Sequence, residues 1–331
     1  MIDFRYHVVS IVAVFLALTV GLVIGSSYLS KVAYDTLNHQ LSGLRSENQT
    51  LHGAQDQLST QVRDRDSLIA ALGPDAVSGK LSGRAVAVVL LPGADGSSGD
   101  AMADLLHKAG ATVTGEVTLK SSLVDPAQAG KLAQVAAKLL PTERGGAQLP
   151  AASSSATPDK TAPAAAALAD LAGAVVHRIP ANASGVGEQR ITDDASAHVF
   201  SAYSAAGFAD VKAPTTTPAD LVVVMAPSAP TAGPAADTAN TLYLGFLKAL
   251  TGGGRSEGAV LAGPASAAVS PGLIAAAVKD GWVSKNISTA DSADQASGRI
   301  ITVFALAEET MGKTGHYGLT GTADGPLPDL H

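Results

Sequence analysis

The segment Pro92-Gly93-Ala94-Asp95-Gly96-Ser97-Ser98-Gly99-Asp100 has the residue types best suited to holding a small molecule. Glycines let backbone N–H groups approach a phosphate, and the segment lies between an apolar run and a helical stretch, where phosphate loops sit. Its G-x-x-G-x-x-G spacing matches neither the dinucleotide fingerprint nor the Walker loop. The ribose-binding acid expected about twenty residues on would be Glu116, inside the next strand. A Gly-rich turn is therefore the favoured reading. Loops that follow strands of an open parallel sheet share one edge, so Gly93, Asp95, Gly96 and Gly99 together with Ser266 from Gly263–Ser270 are candidates to line a crevice.

Metal and nucleophile chemistry find less. Histidines at 7, 39, 52, 107, 177, 198, 316 and 331 are scattered singly, and so are methionines 1, 102, 225 and 311. With no cysteine in the chain, there are no thiolate sites and no disulfides. Asp291-Ser292-Ala293-Asp294 resembles part of a calcium loop but lacks its glycine and glutamate positions, so capping of the last helix is the expected role. No G-x-S-x-G occurs. The expectation is a protein without enzymatic activity or cofactor. A net charge of −7 with few aromatics gives no electrostatic footprint for nucleic acid.

The elements that must carry these residues begin with an apolar run from Val8 to Ile24, long enough to cross a membrane. A cleaved signal peptide is the alternative, with Val23-Ile24-Gly25 before Ser26 as its site. The single basic residue Arg5 beside Asp3 and the uninterrupted helical pattern favour an uncleaved anchor, residues 1–28. Ala13, Ala17, Gly21 and Gly25 recur every fourth position, a face on which helices pack in membranes.

Residues 29–73 read as a parallel, dimeric coiled coil roughly 65 Å long at 1.5 Å per residue. Leu37, Leu44, Leu51 and Leu58 fall at d; Tyr34, Leu41, Asn48, Gln55, Val62 and Ile69 fall at a. Asn48 is a register-fixing polar residue, and Arg65 interrupts the d row. Gly73-Pro74 is expected to stop the helix.

Residues 80–312 read as an open, mostly parallel α/β (Rossmann-like) domain that folds without the rod. Ala85–Leu91, Thr112–Leu119, Ala174–Arg178, Leu221–Ala226, Ala259–Ala262 and Val283–Ile287 are the expected strands. Asp100 is expected to cap the helix before Gly110. The stretch 141–163 reads as a long loop, with a hinge as the alternative, and 313–331 as a mobile tail. With no second span in view, residues 30–331 are placed outside the cytoplasm.

Met1-Ile2-Asp3-Phe4-Arg5-Tyr6-His7-Val8-Val9-Ser10, the run Ile11–Gly25, Val86–Leu91, Asp291–Arg299 and Gly315-His316-Tyr317-Gly318 together resemble the actinobacterial MctB-like family. Its label implies copper export through an outer-membrane pore. A SteB-like branch implies cell separation through a membrane partner, SteA, and control of a peptidoglycan hydrolase. The resemblance carries over no copper ligands. One span without a polar stripe does not line a pore alone, so the favoured expectation is a membrane-anchored, homodimeric scaffold or regulatory subunit, with copper transport as the alternative.

Overall fold

The computed structural model describes residues 4–140, 161–176, 193–212, 219–252, 256–320 and 323–328; the side chains of 4–5, 25–38 and 193 fall outside that description. Two compact units result, Met1–Arg65 and Asp66–His331.

The first unit is the bulk of one helix, α1, which runs Phe4–Val77. Its stretch Tyr6–Ile24 has mean hydropathy 2.6 over 19 residues and buries nothing within the chain, as an apolar membrane-spanning segment would. The Thr19 hydroxyl donates back to the carbonyls of Phe15 (3.0 Å) and Leu16 (2.9 Å), so it is satisfied inside its own helix. Ala13, Ala17 and Gly21 lie on open helix surface, and Gly25 is among the residues whose surroundings are not described. Of the seam residues, Leu41, Leu44, Asn48, Leu51, Leu58 and Val62 are exposed, while Tyr34 and Leu37 lie outside the described side chains.

The second unit opens with the end of α1. The helix does not stop at Gly73-Pro74 but continues through Pro74 to Val77. Proline there forfeits one hydrogen bond, to the carbonyl of residue 70. Burial of Val77, fully sequestered, holds the last turn in place. The compact unit thus starts at Asp66, ahead of the boundary at 80 that the sequence pattern suggests.

In chain order follow β1 Ala85–Leu90, α2 Gly96–Lys108, β2 Thr112–Leu119, α3 Ala129–Ala136, α4 Ala162–Val175, α5 Asp193–Ala205 and β3 Ala209–Lys212. Then come β4 Leu221–Met225, α6 Pro234–Thr251, β5 Gly258–Ala262, α7 Leu273–Lys279, α8 Val283–Asn286, β6 Ser288–Ala290, α9 Ala296–Glu309 and β7 His316–Tyr317. The strands form one sheet in the order β3-β2-β1-β4-β5-β6-β7. All pairs are parallel except β2 with β3.

Alternation along the strands explains the layering, since successive side chains face opposite sides. Val86, Val88 and Leu90 join α2, α9 and Val77 in one core, whereas Ala87, Val89 and Leu91 join α3 to α7 in the other. Both faces are covered, so the central strands are apolar throughout.

Several expectations need correction. The expected strand Val283–Ile287 is a helical turn, and the strand follows it at Ser288. The residues after Gly315, expected to be mobile, supply β7 and pair with β6. Near Ala174 the chain is helical to Val175 and makes only a bridge at Val176; residues 177–178 lie outside the description, as does most of the expected loop at 141–160.

Candidate functional site

In this strand order the connections leave β1 toward β2 on one side and β4 on the other, so the switch point of the sheet lies between β1 and β4. The loop Pro92–Asp100 leaves β1 at that point. Asp95 is the N-cap of α2: its carboxylate accepts from the Ser98 N–H (2.9 Å), the Ser98 hydroxyl (2.7 Å) and the Ser97 hydroxyl (2.6 Å). These bonds, that of Ser97 foremost, pull its carboxyl down to about 2. The expected cap, Asp100, lies one turn into the helix and pairs instead with Lys212 (2.6 Å), which also reaches Glu116 (3.0 Å).

A helix N-terminus occupied by its own ionised carboxylate repels a phosphate, so the loop is not built for one. Its glycines have local reasons. A Cβ on Gly99 would lie 2.9 Å from Leu90, Gly93 turns the chain at φ 85°, and Gly96 faces open space. Ser266 accepts from the Ala229 N–H at 3.4 Å. The proposed crevice residues therefore share one edge, but the loop after β4 stands between the two halves.

A denser polar arrangement lies where β6, α9 and β7 meet. Asp291, buried at the carboxyl end of β6, accepts from the Leu319 N–H (2.8 Å), the Thr320 N–H (3.1 Å), the Ser292 hydroxyl (2.8 Å) and, at very short range, the Thr320 hydroxyl. This corrects the expected capping role: Asp291 holds the segment after β7, not α9. Ser292 adopts φ 58°, and Gly298 passes so close that a Cβ would lie 2.1 Å from the Ser292 carbonyl oxygen. Gly318 likewise leaves room for the Asp291 carboxylate, which a Cβ would approach to 2.1 Å. Arg299 donates to the carbonyls of Ala293 (3.2 Å) and Asp294 (3.0 Å), closing the turn between strand and helix.

At the other end of β6, Glu309 accepts from the Ser288 N–H (2.8 Å) and hydroxyl (2.6 Å), and the Ser288 oxygen accepts from the Gly315 N–H (3.1 Å). Burial pushes the Glu309 carboxyl up to about 7 despite these donors. The Tyr317 hydroxyl donates to Glu308. His316 Nδ1 lies 3.0 Å from the Thr289 hydroxyl, the ring also bonds the backbone of Ser284, and burial holds its imidazole below the usual value. Thr289 and His316 are within the reach of a nucleophile and its base. Thr289 is buried, however, and the histidine is tied on both sides, so the pair is a strut between β6, β7 and the turn of α8.

The N-terminus of α9 is closed by a residue far away in sequence: Asp66 accepts from the Ser297 N–H at 3.3 Å. Sequence reasoning missed Asp66, Ser288, Glu308 and Glu309. Only the position of Glu308 and Glu309 directly after the mostly apolar run at 300–307 hinted at burial. Among the described residues no group of three His, Asp or Glu side chains could hold a metal ion. Met102 and Met225 are core residues and His52 is exposed; His177 and His331 lie outside the description.

A family model described as copper transport outer membrane protein, MctB, matches residues 1–328. The chain belongs to this family. It is 32% identical over 339 residues to the copper transporter MctB of Mycobacterium tuberculosis and to that of Mycobacterium bovis, spanning 99% of this chain and 98% of each relative. The copper transporter MctB of Mycobacterium leprae is 34% identical over 168 residues, 45% of this chain and 46% of that one. In this MctB-family chain, two of the stretches that carry the resemblance, Asp291–Arg299 and Gly315–Gly318, are the two halves of the clasp around Asp291.

Proposed function

We propose that this MctB-family protein is a non-enzymatic, single-pass membrane protein that acts as a scaffold or regulatory subunit at the cell envelope. Its span is Tyr6–Ile24, its rod a parallel homodimer, and its α/β head lies outside the cytoplasm. The observation that carries the reading is the continuity of α1. One helix holds an apolar membrane-length run, a row of exposed heptad leucines and, at its end, residues buried in the head core. The small-residue face Ala13, Ala17, Gly21 and Gly25 supports side-by-side anchors, and exposed Leu41, Leu44, Leu51 and Leu58 want a second helix. The well-placed acids and hydroxyls of the head are committed to holding its own C-terminal segment. The partner class is a second membrane protein, SteA-like by the resemblance, acting on cell separation through a peptidoglycan hydrolase.

The second reading is copper transport or efflux, favoured by the name that relatives 32% identical carry. Tight Cu(I) sites use clustered sulfur or imidazole, and the open sheet with helices on both faces supplies no barrel among the described residues. Deleting the gene is expected to disturb septation more than copper tolerance. Titration of the purified protein with Cu(I) against a competing chelator is expected to show no submicromolar site. A stoichiometric tight site with copper hypersensitivity and normal septation would establish transport instead.

A further inference from the structure

The last turns of α1 present two separate faces. Asp66, Gly73 and Val77 stand at e and b positions of the heptad. Asp66 caps α9, Gly73 packs so tightly on Ile300 that a Cβ would lie 2.3 Å from it, and Val77 is fully buried. About a quarter turn round the helix, at 100° per residue, lies the continuation of the a/d row: Ile69, Leu72 and Ala76. Leu72 falls on the row of Leu37, Leu44, Leu51 and Leu58, and it remains 60% exposed although it belongs to the compact unit that begins at Asp66. An exposed leucine in the register of a seam, on turns rigidly built into a head, is a contact prepared for a partner.

We infer that a second copy of this chain covers Leu72, with Ile69 and Ala76 beside it, so that the turns of α1 that pack on the head core carry a dimer contact on their other face. The inference rests on the parallel coiled coil proposed above and deepens it. A parallel two-fold seam is self-complementary: Leu72 meets its own counterpart, which a lone leucine on an unrelated partner would not require. Arg65 does not close the row, because its long stem can lie along the seam while the guanidinium reaches water. The same two turns then carry both the dimer contact and the cap of α9.

The chain contains no cysteine, so single introduced thiols report without background. Full-length Leu72→Cys, Leu58→Cys and Ser67→Cys proteins, reconstituted in liposomes, are treated with a short bis-maleimide and resolved by denaturing gel. All three positions are exposed, and Ser67, at f, is turned away from the seam. Efficient dimer bands for Leu72→Cys and Leu58→Cys, at least fivefold above Ser67→Cys, are expected. A strong Leu58→Cys band with Leu72→Cys at the Ser67→Cys level overturns the extension while leaving the coil intact. Failure at both seam positions removes the coil reading itself. Equal bands at all three would mean random encounter and overturn the inference too.

Discussion

Removing residues 66–78 from the head is expected to cost it a large part of its stability. A chain beginning at Gly79 keeps every strand but loses Val77, which is fully buried beside Leu81 and Leu106. Withdrawing a valine from a core costs about 1.5–3 kcal/mol. Loss of the Asp66 carboxylate from the Ser297 N–H removes a helix cap, worth about 0.5–2 kcal/mol and at the low end for a 3.3 Å bond. The sum is roughly 2–4 kcal/mol, against a total of about 5–15 kcal/mol for a domain. The assay is urea unfolding of chains beginning at 60 and at 79, followed by far-UV circular dichroism and by the fluorescence of Trp282, the sole tryptophan. With a slope of about 2 kcal/mol per molar, the midpoint of the shorter chain falls by about 1–2 M. Identical midpoints and slopes would show that the end of α1 merely rests on the head and contributes nothing to its core.

Asp291→Asn keeps the shape of the side chain but weakens the bonds from the Leu319 and Thr320 N–H groups; a loss of about 2 kcal/mol and faster amide exchange confined to 316–320 are expected by mass spectrometry. Glu309 has its folded pKa raised to about 7 from 4.5, so its contribution is full below about 4.5 and is lost as pH rises toward 7; wild-type stability should fall across that window, and Glu309→Gln should flatten the slope. An Asn48→Leu peptide of residues 28–73 should melt at a higher temperature with a less definite oligomer state, whereas Leu44→Lys with Leu51→Lys should sediment as a monomer.

Strands buried on both faces could be read directly: Ala85–Leu90, Leu221–Met225 and Gly258–Ala262 are unbroken apolar runs because helices cover both sides. The edge elements were not legible. β6 is Ser288-Thr289-Ala290, whose hydroxyls look like loop chemistry until Glu309 and His316 are brought to them from later in the chain. β3 is four residues with alternating charges, and β7 only two. Local rules also chose the wrong cap: Asp95 and Asp100 both precede helical sequence, and it is Asp95, just after the positive-φ turn at Gly93, whose carboxylate meets the Ser98 N–H. Asp291 was visible as a conspicuous acid but its partners were not, because they lie nearly thirty residues away across a helix.

The position of α9 has a consequence for the order in which the protein can be made. Its first turn is capped by Asp66 and its last turn grips Tyr317, so it joins the earliest and latest parts of the head. During synthesis the span and the rod emerge more than two hundred residues before α9 does, and the core around Val77 stays open until then. In the proposed dimer, two nascent chains joined by their rods would bring two unfinished heads side by side, each waiting for the same late helix and for the strap after β7 that Asp291 holds. Either chain's strap could then complete the neighbouring head, an exchange that domain swapping favours at close quarters. Premature termination between β5 and α9 would leave the head with its anchor and rod but without the pieces that close it.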